Sequence, residues 1–266
     1  MLAIDVGNTN IVVGLFEGER LRWHRRFETH KGLSLLRKLW ISQVNCVVVA
    51  SVVPRLDKPF RLLLRKKFGV EPLFVTSRTK LPIRFKTKKP SEVGADRIAN
   101  AVAAWKIPPT PLCPSTGLRT SQRGARGDLK TVPIIIIDFG TATTLDVVSA
   151  QGEYLGGPIV PGLRICLEAL HEKTARLPLV SIAKPKRVIG RQTRECIQGG
   201  VYYGYAGLVD RLVGLIQKEL GMKTAVIATG GFATLIAKEC RTIQKLEPFL
   251  TLKGLRIVAD KKFRAI

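Results

Sequence analysis

The sequence contains few cysteines and histidines, and neither residue type has the spacing of a metal site. The five cysteines form no CxxC pair; they are Cys46, Cys113, Cys166, Cys196 and Cys240. An odd number of scattered cysteines argues against a disulfide framework or a structural zinc site. We therefore expect reduced thiols and a cytoplasmic protein.

Long apolar runs are also missing. Hydrophobic residues make up 45% of the 266 residues, which is enough for a buried core. No run, however, approaches the roughly 20 apolar residues that a membrane span requires. The N-terminus passes directly into a predicted strand that carries Asp5. We therefore expect no secretory signal and no membrane partner.

Acidic residues are scarce. The sequence has 20 Asp and Glu against 44 Lys and Arg, which gives a net charge of +24. From Arg55 to Lys89, basic residues outnumber acidic ones twelve to two. Such a surface attracts polyanions. The aromatic content of 6% is low, and no zinc-finger, RNA-recognition or KH signature is present. We interpret the charge as a solvated basic face and expect no nucleic-acid partner.

The clearest positive signal is an internal repeat. The run LAIDVGNTN near the N-terminus is similar to IIIIDFGTATT at 134–144. A shift of 133 positions aligns Asp5 with Asp138. One extra residue then aligns Gly18-Glu19 with Gly152-Glu153. This pattern indicates a duplicated β-hairpin unit. Strands mix with helices in each half, so we predict an α/β fold of two similar domains with a central cleft.

Composition and periodicity predict the domain bounds and the main helices. We predict an N-terminal domain at 1–106 and a C-terminal domain at 132–266, joined by a basic, Pro/Gly-rich linker or insertion at 107–131. Helices are predicted from Pro54 to a stop at Gly69, from a Ser/Glu capping pattern at Ser91 onward, at 162–174 and around 192–220.

Each copy of the repeated turn has the chemistry of a phosphate site. Its backbone N–H groups and its Thr and Asn side chains can cradle phosphate oxygens. Asp5 can hold Mg²⁺ through water, and Asp138 with Gly140, Thr141 and Thr143 can act similarly. A single copy is better explained as a tight hairpin with an Asx-type turn. Two copies in register favour a phosphate clamp.

Two further motifs leave alternatives open. Ala228-Thr229-Gly230-Gly231 lies between a predicted strand and helix, where it suits either a nucleotide or a plain connection. Gly94-Ala95-Asp96-Arg97 opens a helix, so its Asp-Arg pair suits either a capping salt bridge or a kinase base with a phosphate-binding cation. The sequence lacks a GxxxxGK[ST] loop and the protein-kinase signature set.

Taken together, these motifs resemble one family. DVGNTN at 5–10, GADRIANAVAA at 94–104, DFGTATTLD at 138–146, GGPIVPGL at 156–163, KTARLP at 173–178 and ATGG at 228–231 occur in this order. The combination resembles type III pantothenate kinases, members of the acetate/sugar kinase, Hsp70 and actin superfamily. The resemblance runs from Met1 to about Ile236 and implies two actin-like, ribonuclease H-like domains.

The resemblance also implies an activity, which is ATP-dependent phosphorylation of pantothenate to 4′-phosphopantothenate in the first step toward coenzyme A. It implies Mg²⁺ with ATP, an activating K⁺ or NH₄⁺ at Asp138, and a homodimer. Asp96 corresponds to the general base. The implied substrate contacts are Gly94, Ala95, Asp96, Arg97 and Thr174. The implied ATP contacts are Asp5, Val6, Gly7, Asn8, Thr9, Asn10, Ile11, Val12, Thr141, Gly230 and Gly231.

The chain departs from the family pattern in two places. Residues 107–131 are longer and more basic than the usual connection, and Thr87-Lys88-Lys89-Pro90 replaces a stretch that often begins with a tyrosine. The second change predicts the loss of a tyrosine contact to the substrate. The alternative function is a non-catalytic relative that regulates transcription on nucleic acid. Phosphorylation of another small hydroxy acid is disfavoured by the GADR motif.

Overall fold

The computed structural model describes residues 1–38, 40–41, 44–107 and 132–263. Their contacts form two compact units. The first comprises the described residues of Met1–Lys106, Gly152–Tyr154 and Phe249–Ile266, and the second those of Ile107–Gln151 and Leu155–Pro248. The predicted linker or insertion lies outside the described residues except for Ile107. The predicted domain bounds stay a prediction.

Strands and helices alternate in both halves of the chain. The strands are β1 (Leu2–Val6), β2 (Asn10–Glu17), β3 (Arg20–Glu28), β4 (Val47–Ser51), β5 (Leu73–Phe74), β6 (Arg84–Phe85), β7 (Ile134–Phe139), β8 (Ala142–Val148), β9 (Glu153–Gly156), β10 (Ile159–Pro161), β11 (Ala225–Thr229) and β12 (Lys245–Leu246). The α-helices are α1 (Thr29–Lys38), α2 (Pro54–Phe68), α3 (Ala95–Lys106), α4 (Leu163–Glu172), α5 (Thr193–Leu220), α6 (Ala233–Ile236) and α7 (Leu250–Phe263).

The two sheets repeat one strand order. In the first sheet the order is β3-β2-β1-β4-β5, and the corresponding part of the second is β9-β8-β7-β11-β12. An antiparallel hairpin, β1-β2 or β7-β8, is extended in each sheet by a parallel strand, β4 or β11. Both hairpins are followed by a turn whose glycine has a left-handed φ, +55° at Gly18 and +77° at Gly152. The predicted duplication is confirmed, as is the α/β class.

The first unit is built around strands whose side chains are buried on both faces. Leu2, Ala3 and Ile4 of β1 and Val47 to Ala50 of β4 have no exposed surface. Continuous apolar strands are typical of sheets covered on both sides. Helix α2 begins with Pro54 at its first position and ends at Gly69 in the left-handed conformation. This is the predicted start and stop.

Helix α3 does not start where the capping pattern predicts. Residues Pro90–Glu92 form a single 3₁₀ turn, and α3 begins at Ala95. The prediction of a Ser91 cap was therefore wrong by about one helical turn. This shift puts Asp96 in the first turn of α3.

Helix α7 packs closely against α3, so this helix belongs to the first unit. A Cβ atom on Gly254 would lie 1.9 Å from the carbonyl oxygen of Ala99. The Thr251 hydroxyl donates to the Asn100 side-chain oxygen at 2.8 Å, and both residues are buried. Sequence patterns did not predict α7, although it holds the helix that carries Asp96.

The four cysteines in the described part of the chain are all free. Burial raises the pKa of the Cys46 thiol to about 11 and that of Cys240 to about 12. These two side chains therefore stay protonated and unreactive at neutral pH. No helix among the described residues is long and apolar enough to cross a membrane.

Because Gly254 lies against Ala99, we predict that a single methyl group added at residue 254 strongly lowers the stability of the protein. We expect Gly254→Ala to lower the free energy of unfolding by about 2 kcal/mol or more, because the new Cβ would clash with backbone that cannot move alone. Thermal or urea unfolding followed by circular dichroism measures this loss.

Gly214→Ala is the matched control. Gly214 lies in α5, and a Cβ there would meet no atom within 4 Å. Alanine should stabilise that helix by about 0.5–1 kcal/mol. Equal unfolding midpoints for the two variants would contradict the close packing of α7 on α3.

Candidate active site

The first repeated turn follows β1 and is closed by backbone hydrogen bonds. The Gly7 N–H donates to the Asn10 carbonyl oxygen at 2.9 Å. A Cβ on Gly7 would approach that same oxygen to 2.9 Å, so a larger residue would open the turn. Asn8 is exposed, and Thr9 and Asn10 are half-buried. The turn therefore presents short polar side chains and a bare backbone, as the sequence predicted.

Thr29 holds this turn in place, and sequence reasoning missed it. Its hydroxyl donates to the Gly7 carbonyl oxygen at 2.7 Å, and its backbone N–H donates to the Thr9 carbonyl oxygen at 2.9 Å. Thr29 is buried at the start of α1. No motif marked it, because a threonine at a helix start serves as an ordinary cap in many proteins.

Asp5 lies near the end of β1, beside the parallel strand β4. It is in register with Val12 on β2 and Ala50 on β4. Its half-buried side chain is more accessible than those of its strand neighbours Ile4 and Val6. The remaining predicted contact residues, Ile11 and Val12, are paired into the sheet. The Ile11 side chain is buried in the core of the first unit and that of Val12 is half-buried, so we expect contacts with a ligand from the turn instead.

The GADR loop lies beside this same end of the first sheet. The Val52 N–H donates to the Val6 carbonyl oxygen at 3.0 Å. A Cβ on Gly94 would lie 3.4 Å from the Val52 side chain. Val52 thus connects the strand that leads into the first turn with the loop that leads into α3. The structure therefore brings together two motifs that are almost 90 residues apart in sequence.

The Asp96 carboxylate folds back over the loop that precedes it. Its Oδ1 accepts the backbone N–H of Arg97 at 2.7 Å. A Cβ on Gly94 would come within 2.6 Å of this oxygen, so the glycine is needed for the carboxylate to sit there. The free N–H groups at a helix N-terminus favour a negative charge. Asp96 is half-buried.

 Both Asp96 and Arg97 make further interactions within the protein, so neither side chain is free and both interpretations of the pair stay open.

Arg97 extends over an aromatic ring that sequence reasoning did not select. Its guanidinium carbon lies 6.0 Å from the centroid of the Tyr154 ring, and Tyr154 has no exposed surface. Such a contact is a cation–π interaction at the outer limit of its range. Tyr154 is held in turn by β6, because Arg84 and Phe85 pair in parallel with Glu153 and Tyr154. The repeated Gly-Glu turn therefore also supports the GADR loop.

Thr87 has an unusual environment just before this loop. The N–H of its neighbour Lys86 donates to the Tyr154 carbonyl oxygen at 2.9 Å. The Thr87 hydroxyl oxygen is buried, and within the described part of the chain it has no hydrogen-bond partner. An unpaired buried hydroxyl costs about 1–3 kcal/mol. The described part of the chain thus leaves the Thr87 hydroxyl without the hydrogen bond that would offset its burial.

The second repeated turn lies in the second unit and is packed between two glycines. A Cβ on Gly230 would lie 2.5 Å from Asp138 Oδ1 and 2.6 Å from the Phe139 backbone. Gly230 also has a φ of +96°, which favours glycine. A Cβ on Gly162 would lie 2.1 Å from the Thr141 carbonyl oxygen. The ATGG and GGPIVPGL motifs therefore both contact the second turn.

Within this turn, Asp138 and Thr141 differ from Thr143 in accessibility. Asp138 is half-buried and in register with Thr229 of the parallel strand β11, whereas Thr141 is exposed. Thr143 has no exposed surface, so its expected contact with phosphate is not available at the protein surface. Its position in β8 explains this, because alternate side chains of a strand point to opposite faces.

Thr174 is placed by the structure just after α4 in the second unit. It is exposed, and its hydroxyl donates to the Leu170 carbonyl oxygen at 2.7 Å. The Leu177 N–H donates to the Thr174 hydroxyl at 3.3 Å. Thr174 thus shapes the turn at the end of α4.

A metal ion bound only by protein side chains has no candidate site in the described ranges. No group of three or more His, Cys, Asp or Glu side chains in those ranges could hold one. Mg²⁺ in phosphoryl-transfer enzymes commonly uses one or two carboxylates and takes its other ligands from phosphate and water. Asp5 and Asp138, single carboxylates beside bare turns, suit that mode of binding.

Comparison with known proteins identifies the family. The sequence profile described as Type III pantothenate kinase matches residues 1–113 and 123–214. The chain belongs to the type III pantothenate kinase family. Residues 114–122, which fall between the matched ranges, lie within the predicted insertion. The resemblance seen in the motifs is thereby confirmed, together with the prediction that the chain is a kinase.

Curated relatives agree over nearly the whole length of the kinase. It is 42% identical to the type III pantothenate kinase of Myxococcus xanthus, with 97% of each chain covered. It is 41% identical to that of Moorella thermoacetica, with 98% of this chain and 99% of the relative covered. The alternative of a non-catalytic transcriptional regulator is not favoured by these matches.

Solved structures support the fold at much lower identity. The kinase resembles a conserved putative Baf family transcriptional activator from Campylobacter jejuni, with a TM-score of 0.60, 17% identity and 98% of each chain covered. It also resembles a putative N-acetylmannosamine kinase from Listeria monocytogenes, with a TM-score of 0.50, 13% identity and 98% of each chain covered. At such identities the likeness shows the fold alone.

Proposed function

We propose that this kinase transfers the γ-phosphoryl group of ATP to the primary hydroxyl of pantothenate. The products are ADP and 4′-phosphopantothenate, and the reaction is the first step of coenzyme A biosynthesis. The observation that carries this proposal is the position of Asp96. Its carboxylate lies at the N-terminus of α3, and Gly94 and Val52 connect it to the strand end that precedes the first turn.

In this proposal Asp96 is the general base. It accepts the proton of the primary hydroxyl while the hydroxyl oxygen attacks the γ-phosphorus atom. The bond between that phosphorus and the β–γ bridging oxygen breaks, and ADP leaves with the bonding electron pair. A positioned carboxylate and neutralised phosphate charge supply most of what phosphoryl transfer requires.

The GADR loop binds pantothenate. The absence of a Cβ atom at Gly94 makes room for the Asp96 carboxylate, and the Arg97 guanidinium supplies a positive charge for the anionic substrate. We assign Thr174 a second contact with pantothenate, because the family resemblance implies it. Its present hydrogen bonds define a turn of the second unit, so its role toward the substrate rests on the resemblance alone.

The two repeated turns bind ATP. The first turn offers the short side chains and backbone of Asn8 and Thr9, and the second offers Thr141 with Gly230 and Gly231 beside it. Asp5 would hold Mg²⁺ through water, and Asp138 would hold K⁺ or NH₄⁺. These cations would neutralise phosphate charge during the transfer.

We also propose that the kinase forms a homodimer in the cytoplasm. The second unit exposes several large apolar side chains, among them Ile159, Leu179, Val188 and Ile189, and Ile189 is 83% exposed. Exposed apolar side chains of this size are the kind of surface that a subunit interface would bury. The free thiols of the described cysteines suit a reducing compartment.

Sedimentation velocity tests the dimer. We expect the wild type to sediment as a dimer and Ile189→Asp to shift it to monomer, because a buried unpaired carboxylate is costly. Met222→Asp, at an apolar residue that is also exposed and lies outside this set, is the control and should stay dimeric. A monomeric wild type at micromolar concentration would exclude the proposal.

The reaction and its base are tested by one assay with ATP, Mg²⁺ and pantothenate. We expect the wild type to produce phosphopantothenate, and Asp96→Asn to lower kcat by about 10²–10⁴-fold, because the amide cannot accept the proton. Replacement of K⁺ by Na⁺ in the assay buffer tests whether the reaction requires the proposed activating monovalent cation.

Glu92→Gln is the matched control for Asp96→Asn. Glu92 is an exposed carboxylate four residues earlier, paired with Lys89 at 3.0 Å. Its neutralisation should leave kcat within twofold of the wild type. No product from the wild type would exclude the substrate, and full activity of Asp96→Asn would exclude the base while leaving the substrate intact.

From the buried Thr87 hydroxyl we predict that one substitution changes both the thermal stability of the kinase and its affinity for pantothenate. We expect Thr87→Val to raise the thermal midpoint of the free kinase, because it removes an unpaired buried hydroxyl. If that hydroxyl bonds pantothenate, the same variant should raise KM for pantothenate three- to tenfold and leave kcat and KM for ATP unchanged.

Thr87→Ser keeps the hydroxyl and serves as the control. It should retain a KM for pantothenate close to that of the wild type. A stabilised Thr87→Val variant with an unchanged KM would show that the hydroxyl has no part in substrate binding.

A further inference from the structure

The basic run from Arg55 to Lys89 contains a concave site that the proposed reaction does not use. A groove of about 550 Å³ lies in the first unit, where α1 and α2 pack together. Its six lining residues are Arg37, Pro59, Leu62, Leu63, Lys66 and Lys67. This volume is within the range of small-molecule sites in proteins.

The floor of the groove is aliphatic and belongs to one face of α2. Pro59, Leu62 and Leu63 are spaced by three and four residues, so they share a face. A neighbouring face of the helix buries Phe60 and Leu64 in the core. Leu62 remains 58% exposed, although it is one of the large apolar side chains of this helix. The groove therefore offers apolar surface that the fold itself does not cover.

The rim of the groove is cationic and partly fixed. Lys67 donates to the carbonyl oxygens of Leu36 and Arg37, at 3.1 and 2.8 Å, and so ties the end of α1 to α2. Among the described residues, Arg37 and Lys66 form no ion pair with a carboxylate. Three cations thus surround an apolar floor that contains no acidic residue.

This charge pattern restricts the occupant. Residues 108–131 and a second copy of α2 are themselves basic, so charge repulsion disfavours both. Nucleic acid would need flat aromatic groups for base stacking, and the lining residues include none. A lipid bilayer would suit a convex apolar face better than a groove.

We propose that this groove binds a free, single-chain anionic amphiphile, with an aliphatic tail on the Pro59, Leu62 and Leu63 floor and a negatively charged head at Arg37, Lys66 and Lys67. The span from Pro59 to Lys67 is about 12 Å along the helix axis. This length accommodates most of an extended chain of roughly ten carbons. The proposal is independent of the pantothenate kinase reaction, since no lining residue belongs to the candidate active site.

Isothermal titration calorimetry of the full chain with monomeric decanoate tests the proposal. We expect saturable binding at one site, weakened about tenfold when octanoate replaces decanoate, because two buried methylene groups are lost. The neutral amphiphile decyl maltoside should bind at least tenfold more weakly. Lys66→Glu and Leu62→Glu should each weaken decanoate binding at least tenfold.

Lys58→Glu is the matched control, because it makes the same charge change on α2 at an exposed residue outside the groove. It should bind decanoate within twofold of the wild type, and the kinase activity of all three variants should be unchanged. Thermal unfolding confirms that each variant is folded.

Four results would overturn the proposal. They are an absence of saturable decanoate binding, an equal loss in Lys58→Glu and Lys66→Glu, equal affinities for decanoate and octanoate, and binding of anionic phosphatidylglycerol vesicles or of oligo(dT) without binding of free decanoate. The last result would assign the groove to a membrane surface or to nucleic acid instead.

Discussion

The close approach of bare backbone is the constraint on which the candidate functional residues of each unit depend. In the first unit, Gly254 brings α7 against the Ala99 carbonyl, and Gly94 leaves room for the Asp96 carboxylate. In the second unit, Gly230 lies directly against Asp138 and Phe139. A methyl group at Gly254 or Gly230 would require the backbone to move, and one at Gly94 would displace the Asp96 carboxylate. The polar turns are thus positioned by packing that only glycine permits.

Much of this arrangement could be predicted from the sequence. The repeat at Asp5 and Asp138 gave the two hairpins, because a duplicated strand and turn leaves the same pattern of apolar and small polar residues in both copies. The Pro54 start and Gly69 stop of α2 follow from local chemistry. The repeated turns and the GADR loop could be selected as candidates because their residues carry chemistry as well as conformation.

The rest depends on contacts between distant parts of the chain. Thr29, Val52 and Tyr154 support the site through hydrogen bonds and packing that leave no local pattern. Helix α7 lacks a strong apolar periodicity that would reveal it in the sequence. In the structure, Leu250, Leu252 and Leu255 of this helix are all buried. The start of α3 was misplaced because Ser91 and Glu92 match a capping pattern but form a separate 3₁₀ turn.

The position of α7 also has a consequence for synthesis of the protein. Helix α7 contains the last described residues of the chain, yet it packs on α3 and β1 of the first unit. The hydrogen bond between Asn100 and Thr251 joins residues 151 positions apart. On the ribosome, the first unit cannot complete its core until residues 250–263 have emerged, whereas the strands and helices of the second unit have emerged before then. Native burial of the helix that carries Asp96 is therefore a late folding event, and the kinase positions its proposed base only when α7 docks.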